Sequence, residues 1–83
     1  MKAKLIHKRK EVIEETIMMG YFEAVNRTAL IDILNAIELG FLCEHFNRSN
    51  YETFIDEERL SLTMISDNGK GRIRYEFHFE IMD

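Results

Sequence analysis

Ten residues near the end of the chain, Arg72 to Ile81, alternate strictly between polar and large apolar side chains. Ile73, Tyr75, Phe77, Phe79 and Ile81 fall at one parity; Arg72, Arg74, Glu76, His78 and Glu80 fall at the other. Successive side chains of a strand point to opposite faces, so this pattern describes a half-buried strand with one apolar and one wet side. Three aromatic rings on one face have to be covered, and the remainder of the chain must supply the cover.

The nearest partner is Leu60-Ser-Leu-Thr-Met64, a second alternating run with Leu60, Leu62 and Met64 on one side. Between the two runs lies Ser66-Asp-Asn-Gly-Lys-Gly71, where Asn68-Gly69 and Gly71 offer the positive-φ residues of a tight turn. An antiparallel hairpin of about 60–65 and 72–81 follows. The roof is a helix over about 28–39, with Leu30, Ile33, Leu34 and Ile37 on one face at helical spacing. Thr28 is suited to cap its start, and Gly40 to end it in the left-handed conformation, unless the helix continues through Gly40.

Elsewhere two readings compete. Residues 3–7 and 16–22 make an N-terminal hairpin around a charged turn, although Glu11 to Met19 also fits a helix. Gly20 disfavours the helix by ~1 kcal/mol. The stretch from Phe41 to Phe46 suits a short helix or a strand. Ser49 to Glu52 matches a helix capping box, yet Tyr51, Thr53 and Ile55 alternate as in a strand. The fold class expected is therefore α+β, one small domain spanning 1–83: an antiparallel sheet from the C-terminal hairpin and an N-terminal hairpin, packed against a central helix. The alternative is a winged-helix arrangement, with helices over 11–20, 28–39 and 49–58 and the C-terminal hairpin as wing.

With 83 residues, such a domain is marginally stable alone, and oligomerisation is a common remedy. The 46% hydrophobic and 31% charged content is that of a globular chain. A lone cysteine, Cys43, excludes an internal disulfide and fits a reducing compartment. No apolar run approaches the ~18 residues of a membrane span, and the basic start is not followed by the apolar segment of a signal peptide. A cytoplasmic location without membrane attachment is the expectation.

Charge is unevenly placed. Lys2, Lys4, Lys8, Arg9 and Lys10 give the first ten residues +5, so with a net charge of −4 the remainder carries −9. Such an arm either meets an anionic partner or lies against the protein's own acids. For nucleic acid the candidate contacts are Lys4, Lys8, Arg9 and Lys10, with Lys70 and Arg72 of the hairpin. An acidic body opposes that role at long range, and so does the acidity of 49–58, the reading helix of a winged-helix arrangement.

Catalytic chemistry is poorly served. His7, Cys43, His45 and His78 are the conceivable transition-metal ligands, but zinc sites bring two close ligand pairs and this set has one, at an unusual spacing. Cys43 beside His45 does not resemble a catalytic thiol–imidazole pair, whose members converge from separate segments; a small buried hydrophobe is the better reading. The adjacent acids Glu14-Glu15 and Asp56-Glu57-Glu58 read as solvated surface. Gly69-Lys70-Gly71 lacks the spacing of a phosphate loop and precedes a strand. No catalytic residue, metal or cofactor is implied.

These observations point to a small interaction or regulatory protein acting by protein binding. Ile31 and Leu39 lie off the main stripe of the helix, and a short sheet leaves edges open. A homodimer with Ile31 or Leu39 at its interface is expected, together with another protein as partner. Nucleic-acid binding through the basic arm and the hairpin is the alternative, and an enzyme is the less favoured class.

Overall fold

The strand of strict alternation is central to the sheet. The computed structural model describes residues 1–45, 50–67, 69 and 71–82, with the backbone alone for 42–45 and 50. It contains β1 (Lys2–Lys10), β2 (Glu14–Glu23), α1 (Arg27–His45), β3 (Asn50–Asp56), β4 (Ser61–Asp67) and β5 (Arg72–Ile81). The five strands form one antiparallel sheet in the order β2-β1-β5-β4-β3. Both hairpins read from the sequence are present, joined edge to edge where β1 pairs with β5. The chain is α+β.

The register puts apolar residues in rows across the sheet. Leu5 faces Phe79, His7 faces Phe77, and Phe77 in turn faces Leu62. These side chains meet Leu30 and Leu34 of α1 in a core completed by Ala3, Leu60 and Met64. Phe77 and Phe79 are 6% and 4% exposed, while Arg72, Arg74 and Glu80 on the opposite parity are exposed. Alternation thus assigned the faces of β5 correctly. Rings add directional contacts: Phe22 meets Phe79 edge-on at 5.6 Å between centroids, and Phe41 lies 4.8 Å from Tyr75.

The helix differs from expectation at both ends. Its start is capped by Asn26, whose Oδ1 accepts from the Ala29 amide at 3.0 Å; Thr28 already lies inside the helix. It does not stop at Gly40 but runs to His45, taking in most of the ambiguous 41–46 stretch; Phe46 lies outside the described residues. Glycine inside a helix costs about 1 kcal/mol, and the packing of Phe41 on Tyr75 and Phe77 offsets it. The winged-helix alternative asks for helices where β2 and β3 lie. Both of these stretches pair along their length with a neighbouring strand instead. Ser49, first residue of the capping box, lies outside the described residues.

Two turns hold the C-terminal strands. Asp56 Oδ1 accepts from the amides of Glu58 and Arg59, and Arg27 donates to the carbonyls of Glu57 and Glu58, tying the start of α1 to the β3–β4 turn. Leu60 ends that turn at φ 52°, a left-handed conformation that costs a branched residue roughly 1–2 kcal/mol. Its side chain is buried and its carbonyl accepts from Phe79, so the core holds it there. Gly69 and Gly71 of the β4–β5 turn also have positive φ, as the sequence indicated. Asn68 and Lys70 lie outside the described residues.

Candidate functional site

The outer strand β2 collects exposed apolar side chains. It pairs with β1 on one side only, and among the described residues no strand lies beyond it. Ile17, Met18, Met19 and Tyr21 are 53%, 49%, 53% and 65% exposed, and Val12 and Ile13 at the tip of the hairpin are more exposed still. A bulge shifts the alternation within this strand. Gly20 pairs with Leu5 and Met18 with Ile6, so Met19 is the extra residue and has no partner on β1. Ile17 then shares the helix-bearing face with His7, while Met18 and Tyr21 share the opposite face with Ile6 and Lys4.

Open edges usually carry lysine, proline or a short strand that discourages pairing with another chain. β2 is ten residues long and has neither residue. Its charges are all acidic and sit towards its ends: Glu14 and Glu15 at one, Glu23 at the other, each exposed. An edge of this kind offers a ladder of backbone donors and acceptors with apolar contacts on both faces. That is the chemistry of strand addition rather than of catalysis.

The basic arm is β1, the second strand of the sheet. Its five cations face five acids across the ladders: Lys2 opposite Glu23, Lys4 opposite Glu80, Lys8 opposite Glu76, Arg9 opposite Glu15 and Lys10 opposite Glu14. Lys4 Nζ lies 3.4 Å from Glu80, and Arg9 donates to Glu11 at 3.1 Å. His78 and Lys4 together hold the Glu80 carboxyl below its ordinary value, the imidazole contact being the larger cause. Of the candidate nucleic-acid contacts, Lys4, Lys8 and Lys10 share the sheet face opposite α1 with Arg72, whereas Arg9 lies on the helix-bearing face near Tyr75. Lys70 lies outside the described residues.

That opposite face carries a shallow cleft of about 540 Å³, where Lys8, Arg74 and His78 meet Asp56 and Glu76 beneath an exposed Phe54. Its charges are mixed. His7 and His78 do not converge: His7 stacks on Phe77 on the helix-bearing face, centroids 4.2 Å apart, and His78 lies on the other face beside Glu80. The side chains of Cys43 and His45 lie outside what is described. Asp56 is engaged by the turn amides, which gives that acidic run a structural role.

Ile31 and Leu39, the candidate interface residues, have different surroundings. Ile31 is half-buried and packs against the core, whereas Leu39 is 66% exposed. Singling out these two missed the larger apolar surface on β2. The signal was in the sequence: Thr16 to Phe22 places apolar residues at both parities, where β5 keeps its to one. No helix of the described residues is long and apolar enough to cross a membrane. No protein-family model, curated protein or solved structure matches this chain.

Proposed function

We propose that the protein is a small non-catalytic interaction module that binds another protein by strand addition at β2 and acts as a homodimer. One observation carries the reading: a ten-residue edge strand with its apolar side chains about half exposed on both faces and neither lysine nor proline along it. A fully buried aliphatic or aromatic side chain is worth about 1.5–3 kcal/mol, so covering this strand is a substantial source of affinity. For the two-fold contact between copies the surface we assign is the exposed Leu39 side of α1. It lies on a different element from the β2 edge, so the two contacts are separate assignments.

Two measurements test this. Sedimentation equilibrium across micromolar concentrations should report a dimer that Leu39→Lys converts to monomer; a wild-type monomer of 9.9 kDa throughout rejects the homodimer. Affinity capture from nuclease-treated lysate, with wild type and Met18→Lys/Tyr21→Lys side by side, tests the edge. Partners held equally by both proteins reject β2 as the binding strand.

A second reading, nucleic-acid binding on the face opposite α1, has one specific support. Lys10 stands directly opposite Arg74, a like-charge pair that a phosphate would relieve. Glu14, Glu52 and Glu76 on the same face oppose it. A mobility shift that weakens steeply with salt, and loses that slope when Lys8, Lys10 and Arg74 are neutralised, would favour this reading over the first.

A further inference from the structure

We infer that the lane outside β2 takes an extended peptide segment with an apolar centre and basic ends. This rests on the protein-binding reading and specifies the chemistry of the partner.

The argument starts from what β2 already accepts on its inner side. There the acids at its ends face Lys2, Arg9 and Lys10, and its centre faces Leu5, Ile6 and His7. The inner neighbour is thus basic at both ends and mainly apolar in the middle. Side chains of a strand stand roughly perpendicular to the sheet and serve the neighbours on either side. Glu14, Glu15 and Glu23, with Ile17, Met18, Met19 and Tyr21 between them, therefore present the same pattern to the empty lane. Because acids stand at both ends of β2, parallel and antiparallel docking both leave basic termini matched.

The same charges argue against a second copy of β2 as occupant. In the antiparallel register of full overlap, Glu14 of each copy faces Glu23 of the other. A parallel in-register pair sets each glutamate on its own duplicate. Like charges directly opposite destabilise a strand pair.

The test uses the full chain and three synthetic ten-residue probes sharing one Val/Ile/Thr centre, with Lys/Arg ends, Ser ends or Glu ends. Binding is followed by fluorescence anisotropy and located by amide chemical shifts. The expected result is shifts along β2, with the basic-ended probe about tenfold tighter than the Ser-ended one, as two or three opposite-charge pairs predict. That advantage should shrink as salt rises. Glu14→Gln/Glu15→Gln/Glu23→Gln should abolish the preference for the basic-ended probe without setting like charges against Lys2, Arg9 and Lys10 of β1. Equal affinity for all three probes at β2 overturns the charge assignment and leaves strand docking standing. Shifts confined to the face opposite α1 overturn the placement. Self-association that protects β2 and excludes the probes makes a second copy the occupant and overturns the inference. No binding by any probe to a chain whose β2 stays exposed defeats strand docking itself.

Discussion

β5 and β2 are strands of equal length, each rich in large apolar side chains, and they occupy opposite situations. β5 has a neighbour on either side and confines its apolar residues to one face, where Tyr75, Phe77 and Phe79 join the core with α1. β2 has one neighbour, spreads its apolar residues over both faces and leaves most of them in water. Strict alternation is what a strand needs to build a one-sided core. Apolar residues at both parities exceed that need, and on an edge the excess is available to another chain.

The largest expected effect separates these two strands directly. Phe77→Ala or Phe79→Ala should cost ~3–5 kcal/mol by urea denaturation, enough to unfold much of the population. Ile17→Thr and Met18→Thr should stay within about 0.5 kcal/mol of wild type, as exposed sites do. Equal losses at the two strands would remove the distinction between core and docking strand.

Next comes Leu60, which couples the β3–β4 turn to the core under β5. Leu60→Ala loses the buried side chain at a cost of ~2–5 kcal/mol. Leu60→Gly loses the same side chain but accepts φ 52° freely, so it should recover about 1 kcal/mol of that loss. A glycine variant less stable than the alanine variant would show that the left-handed conformation is not strained.

The roof over β5 gives a smaller effect. Asn26→Ala should destabilise by ~1 kcal/mol through loss of the helix cap, and Thr28→Ala by much less. The reverse order in thermal melts would restore Thr28 as the cap.

The smallest effect lies at the seam between the two hairpins, where Lys4 of β1 meets Glu80 of β5. The folded state holds the Glu80 carboxyl below the ordinary value of 4.5. Its contribution to stability is therefore present above that value and fades as pH falls through the lower folded one. Glu80→Gln should flatten the acid limb of the stability curve slightly and change little at neutral pH. The site is exposed and screened, so a large change at neutral pH would show that the seam depends on this ion pair.

Where one residue pattern decided the structure, the sequence was readable. Alternation in 72–81 and 60–64, with glycines between, led to the C-terminal hairpin and the faces of β5. Where local signals compete with long-range packing, reading stopped short. Gly40 looks like a helix end until Phe41 is known to pack on β5. Residues 50–56 fit a capped helix as well as a strand until β4 is there to pair with them. The basic arm fitted an anionic partner as well as the protein's own acids until the register set it between Glu14, Glu15 and Glu23 on one side and Glu76 and Glu80, more than sixty residues away, on the other. The apolar edge was visible in Thr16 to Phe22, but only the strand order shows that β2 and β3 are the edges.

The most direct test of the central claim is residue-resolved amide hydrogen exchange, first on the protein alone and then with the basic-ended probe. Alone, β5 should be protected to near the global limit, while the outward-facing alternate amides of β2 exchange almost as fast as in an unfolded chain. Adding the probe should slow exchange at those β2 amides and leave β5 unchanged. Protection of β2 equal to that of β5 in the protein alone, or a probe that slows exchange only elsewhere, would contradict the assignment of β2 as the docking strand.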